Sequence, residues 1–177
     1  YRATAPATTG VFTSLEPETA TLDEAEPNWK KSMTDYNVMI VTLARAAGEN
    51  ANYTPGEDGV NPEQDLNQAD PLGLSDTERA IIDEAVNAKK ENNGKLIVML
   101  NNASAMEIEE IKNNTGVDAI LEVGLPGGYG FYGVADVLSG EVNPSGHLAD
   151  TYAVDNSSSP AAQNYGNYEW TNADSAY

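Results

Sequence analysis

Three short runs of nearly unbroken apolar residues constrain this chain more than any other feature: Tyr36 to Ala44, Lys95 to Leu100 and Val117 to Val123. Each has the length of a β-strand. Apolarity that is continuous, not alternating, fits strands covered on both faces, as in a parallel sheet. Helical patterns stand between them. Ser75 is placed to N-cap a helix, with Glu78 three residues on to complete a capping box. Ala80, Ile81, Ala85 and Ala88 follow at helical spacing, and Asn92 to Gly94 supplies a left-handed stop. A second helix is predicted over Ser104 to Lys112, with Met106, Ile108 and Ile111 turned inward, and a third over Gly127 to Leu138. A short helix is expected through Trp29 to Asp35. Strand and helix in alternation predict an α/β fold: a three-layer sandwich with a mostly parallel central sheet flanked by helices on both faces.

The 177 residues hold one domain with its own core, with no obvious room for two. Residues 1–27, rich in Ala, Thr, Pro and Glu, read as a lead-in or linker, with a short strand expected at Gly10 to Leu15. Residues 28–156 are expected to form the sandwich. Residues 157–177, rich in Ser, Asn, Ala and Tyr, read as a tail leading towards a further domain.

A net charge of −19, with only nine Lys and Arg, speaks against nucleic acid as a partner, because phosphates need a basic surface to neutralise them. The acidity reads as surface solvation, and any partner is expected to be neutral or apolar at the contact. The longest apolar stretches, such as Val38 to Ala44, fall far short of the ~20 residues of a membrane span, so no membrane partner is expected. With no Cys there is neither a disulfide framework nor a thiolate metal site, and the single histidine, His147, has no second imidazole to share a metal. No cofactor or metal is expected.

Ligands of parallel α/β sheets sit beyond the carboxyl ends of the strands, so the loops after Leu43, Leu100 and Val123 are where a site is sought. Gly128, Gly130 and Gly133 match the G-x-G-x-x-G dinucleotide spacing after a strand and before a helix. The acidic strand end expected about 20 residues later is missing, since Glu141 to His147 is a turn. Glycines that let a helix start close to a strand explain the spacing equally well, and no NAD or FAD binding is expected. His147 reads as a structural turn residue. Among the carboxylates Glu49 has a special address, just past the first strand beside Gly48. On spacing alone it is either a functional carboxylate or a solvated loop residue. The stretch Arg45 to Gly73 is long, polar and rich in Gly and Pro, and such loops are often functional.

Four segments in order carry a resemblance. Ala135 to Leu148, which includes Asn143, Pro144, Ser145 and Gly146, resembles the family 3 glycoside hydrolase stretch A-D-V-L-F-G-x-x-N-P-S-G-R-L. Leu125 to Gly128 resembles the family's apolar-Pro-Gly turn, and Leu74 to Val86 its L-S-x-x-E-x-x-L-I segment. Arg45 to Glu49 resembles its R-x-x-G-E-G-x-D loop, with Asn50 and Asn52 standing where the family has Gly and Asp. His147 replaces the usual Arg or Lys.

The resemblance implies the second, α/β-sandwich domain of a β-glucosidase-like enzyme that acts on carbohydrate. In such retaining enzymes two carboxyl groups lie about 5–5.5 Å apart across the glycosidic bond. The nucleophile would be an Asp of a separate barrel domain of the same protein, and Glu49 matches the position of the general acid/base. The alternative is a purely structural or sugar-contacting domain, with all catalysis in the barrel. With at most one of the two carboxyls, the fragment alone is expected to be inactive. The loop Gly48 to Gly73, which has only Tyr53, Val60, Leu66 and Leu72 to bury, is expected to be among the most mobile segments, with Glu49 partly exposed.

Overall fold

The computed structural model describes residues 28–45 and 72–160. Glu49, most of the Gly48–Gly73 loop, the lead-in up to Pro27 and the tail beyond Pro160 lie outside the described residues. The elements in chain order are α1 (Trp29–Thr34), β1 (Val38–Ala44), α2 (Asp76–Asn92), β2 (Lys95–Asn101), α3 (Glu109–Asn113), β3 (Ala119–Glu122) and α4 (Gly127–Ser139), followed by a 3-10 turn at Asn156–Ser158. Among the described residues the strands form one parallel sheet in the order β1-β2-β3, with Val38 opposite Lys95 and Ile97 opposite Ala119. Parallel neighbours need crossovers, and α2 and α3 supply them. The chain is an α/β sandwich built on a parallel sheet with flanking helices, as the apolar runs predict.

The core lies between the sheet and α2. Leu96, Val98 and Leu100 of β2 are sealed, and Met39, Val41 and Leu43 of β1 join them with Ile82, Ala85 and Val86 of α2. β2, paired on both sides, is buried from Leu96 to Leu100 apart from half-buried Ile97. β1 differs from expectation: it alternates, with Val38 and Ile40 exposed. It is an outer strand of the described sheet, so it has a strand neighbour on one side only.

The capping box of α2 forms as predicted: the Ser75 hydroxyl accepts from the Glu78 amide at 3.1 Å, and the Glu78 carboxylate accepts from the Ser75 amide at 2.7 Å. Asn93, at φ 53°, makes the left-handed stop. The inward stripe of α2 keeps Ala85 and Ala88 of the predicted face and is rotated from it at the start of the helix. It runs through Glu78, Ile82, Ala85, Val86 and Ala88, while Ala80 and Ile81 are only half-buried. α3 is shorter than the Ser104–Lys112 span predicted. The helix still buries Ile111, and the irregular approach to it buries Met106 and packs Ile108 on the core. α4 forms over the predicted span, but none of its residues is buried, and Tyr129, Phe131 and Tyr132 face outward.

Candidate functional site

At the carboxyl edge of the sheet the chain leaves β1 through Arg45, β2 through Asn101 and Asn102, and β3 through Glu122 to Gly124. Most of these residues are polar, and their side chains are hydrogen-bonded to nearby segments. Arg45 turns inward and is only 5% exposed. Its Nε donates to Glu78 Oε1 at 3.0 Å and its Nη2 to Glu78 Oε2 at 2.5 Å, a bidentate pair. The same Nη2 donates to the Gly73 carbonyl at 2.6 Å. The carboxylate that caps α2 therefore also neutralises a buried guanidinium. A cationic guanidinium is stable here only because its charge is matched and its hydrogen-bonding edges are used.

Glu122 closes β3. Its Oε1 accepts from the Gly124 amide at 2.6 Å, and its Oε2 accepts from the Tyr152 hydroxyl at 2.9 Å. Gly124, at φ +58°, makes a turn that L side chains rarely adopt. Burial, and then the Glu122 hydrogen bond, push the Tyr152 phenol above its ordinary range, so it stays a donor. Asn101 donates to the Gly124 carbonyl at 2.5 Å. Asn102 is 2% exposed; its Nδ2 donates to Met106 Sδ, while its Oδ1 has no hydrogen-bond partner among the described residues. Nearby, the Glu107 amide donates to the Leu72 carbonyl at 2.9 Å, and Glu107 Oε1 accepts from the Asn156 amide. The segments before α2, after β2 and after α4 thus meet on one residue.

Both oxygens of Glu122, and both of Glu78, are engaged. Among the described residues these edge carboxylates act as fixtures and not as a matched acid and nucleophile facing a substrate. No group of three or more His, Asp or Glu among the described residues could hold a metal ion. No helix among them is long and apolar enough to cross a membrane. His147 is exposed in irregular chain after α4. In the Gly-rich segment, Gly127 takes φ +63°, and a Cβ on Gly130 would lie 2.7 Å from the Pro126 Cβ. Those two glycines are required by a helix that begins tightly, whereas Gly128 and Gly133 have open space around them.

Sequence reasoning pointed to the carboxyl edge, while Glu49 lies outside the described residues. It missed the inward turn of Arg45, the second role of Glu78 and the Glu122–Tyr152 bond. One signal for the last was present: a lone acidic residue within the apolar run Ala119 to Val123 marks the place where a strand meets polar surroundings.

A parallel sheet with flanking helices and buried polar residues at its carboxyl edge defines an α/β-sandwich domain. Residues 4–177 match the family model described as the glycosyl hydrolase family 3 C-terminal domain. The chain belongs to that family, as this domain. A β-glucosidase of Ruminococcus albus is 30% identical over 139 residues, which cover 78% of this chain and 13% of that protein. A β-xylosidase/α-L-arabinofuranosidase 1 of Medicago sativa is 33% identical over 79 residues, covering 45% of this chain and 10% of its own. Among solved structures, β-glucosidase 3B from Thermotoga neapolitana in complex with glucose superposes with a TM-score of 0.56 at 29% identity, over 75% of this chain and 16% of that one. The chain therefore spans a small part of the length of these relatives.

Proposed function

We propose that this domain completes the active site of a retaining β-glycosidase of β-glucosidase type, with Glu49 as its general acid/base. In this reading residues 28–156 form the sandwich, residues 1–27 lead into it, and residues 157–177 lead on towards a further domain. A barrel domain of the same polypeptide carries the nucleophilic Asp, and the substrate is a carbohydrate. The outward-facing Leu125, Tyr129, Phe131 and Tyr132 suit an apolar contact with that neighbour. The observation that carries the reading is the placement of Arg45. It lies directly after β1, at the carboxyl edge, and begins the segment Arg45 to Glu49 that resembles the family's R-x-x-G-E loop.

The chemistry follows from two carboxyls. The nucleophile attacks the anomeric carbon while Glu49 gives its proton to the departing glycosidic oxygen, and the C–O bond breaks. Glu49, now a carboxylate, takes a proton from water, whose oxygen displaces the enzyme carboxylate from the anomeric carbon and regenerates both groups. In the full-length enzyme Glu49→Gln is expected to lower turnover of glycosides with poor leaving groups by about 10²–10⁴. The bond-breaking step of activated aryl glycosides should suffer far less, because their leaving groups need little protonation. Pre-steady-state and steady-state rates on both substrate types make the check. Equal losses on both would assign the acid elsewhere and favour a purely structural or sugar-contacting domain.

A further inference from the structure

We infer that α4 and the chain beside it form a docking face for a protein surface that is apolar at its centre and bears Lys or Arg at its margin, carried by another domain of the same polypeptide; this rests on the reading that such a domain exists. Tyr129 and Tyr132 stand three residues apart on one face of the helix, 91% and 73% exposed, and Leu125 just ahead of the helix is exposed as well. Asp136 follows Tyr132 by four residues along that face. Its carbonyl accepts from the Val142 amide at 3.2 Å, which brings the exposed Val142 back to the end of the stripe. Gly128 and Gly133, beside the two tyrosines, have open space where a side chain would stand, so a partner can approach the backbone closely. Exposed aromatic rings grouped in this way mark contact surfaces.

Charge decides what fits them. All nine Lys and Arg lie at or before Lys112, so the chain from Asn113 onward offers carboxylates and one imidazole, His147. Asp136 and Glu141 edge the stripe, both exposed and neither in a salt bridge among the described residues. A second copy is a poor occupant: a two-fold contact would set this acidic margin against itself, between chains of net charge −19. An anionic lipid surface is repelled on the same ground. A wholly apolar surface would take the tyrosines but leave the two carboxylates against uncharged atoms, whereas a Lys or Arg margin pairs them. Length supports the location. The Ruminococcus albus relative extends far beyond this chain, whose match covers 13% of it, and a surface on the same polypeptide is held at high effective concentration.

Two labels applied to the full-length enzyme test this. Hydroxyl-radical footprinting reads whether Tyr129 and Tyr132 are covered. A zero-length carbodiimide, which joins a carboxylate to a lysine amine with loss of water, identifies what stands beside Asp136 and Glu141. The expected result is labelling of both tyrosines far below that of the unfolded chain and unchanged on dilution, with cross-links to lysines of another domain of the same molecule. Charge reversal by Asp136→Lys with Glu141→Lys should restore the labelling, and added salt should raise it in the wild type. Tyrosines that label as freely as in the unfolded chain overturn the docking face. Cover without either cross-links or an effect of charge reversal overturns the basic margin. Cross-links to a second copy or to lysines at or before Lys112 assign another occupant and overturn the proposal, as does cover that forms only when an oligosaccharide is added. The leaving-group ratio of Glu49→Gln reads the acid/base role separately. A changed ratio with freely labelled tyrosines removes the docking face alone, and covered, cross-linked tyrosine faces with an unchanged ratio remove the acid/base role alone.

Discussion

The two edges of the parallel sheet are built on different physics. At the amino edge, where β1, β2 and β3 begin, charge is kept near water. Asp118 accepts from Lys89 Nζ at 2.6 Å, from Lys95 Nζ at 3.1 Å and from the Leu96 amide at 2.8 Å, and Lys95 is largely exposed. Packing there is close: a Cβ on Gly116 would lie 2.5 Å from a methyl of Val86. At the carboxyl edge, charge is buried, with Arg45 against Glu78, and the Asn102 carbonyl oxygen has no partner among the described residues. Exposed pairs contribute little and can be altered cheaply, whereas buried pairs tolerate loss of neither partner. The two edges therefore differ in how much a single substitution should cost, with the greater cost at the carboxyl edge.

The largest effect on stability is expected at that edge. Glu78→Gln leaves the guanidinium buried with its charge unmatched, and should destabilise the protein by about 3–5 kcal/mol. Chemical denaturation, followed by a probe specific to this domain, measures it. A loss no greater than that of the amino-edge variants would erase the distinction between the edges. Next comes Gly116→Ala, where the new methyl meets a β-branched side chain that a helix holds in one rotamer. A cost of about 1–3 kcal/mol is expected, and Gly116→Ala with Val86→Ala should recover part of it. The smallest effect belongs to Asp118→Asn. The Lys89 hydrogen bond first, then the Leu96 amide and Lys95, hold the Asp118 carboxyl well below the usual carboxylate range. A folded-state pKa that is depressed gives stability present above the unfolded value near 4 and lost as pH falls below it. The difference between wild type and Asp118→Asn should therefore be greatest near neutral pH, shrink between about pH 4 and pH 2, and weaken with added salt. A difference that grows on acidification would contradict the assignment.

The sheet was legible because continuous apolarity over Lys95 to Leu100 is hard to satisfy except in a central strand. The start of α2 was legible because Ser75 and Glu78 make a local signal. The inward face of α2 was not, since a glutamate on an apolar stripe looks like a surface residue until its partner is known. That partner, Arg45, lies 33 positions away, and nothing local connects them. α3 was read too long because Ile108 and Ile111 have helical spacing, yet Met106 and Ile108 reach the core from an irregular approach to the helix. Of the candidate site, the edge of the sheet was readable. The fixtures Glu122, Tyr152 and Asn102 were not, because each depends on segments brought together only by the fold.

The Arg45–Glu78 pair also bears on how such a domain can change over time. Substituting either residue alone would remove about 3–5 kcal/mol from a total of about 5–15, enough to deplete the folded population. Replacing both together with apolar residues can be nearly neutral. The two positions are therefore separated from other solutions by a valley that single substitutions do not cross. They should be inherited as one unit: a lineage keeps both residues, or loses both in close succession after other changes have raised its stability.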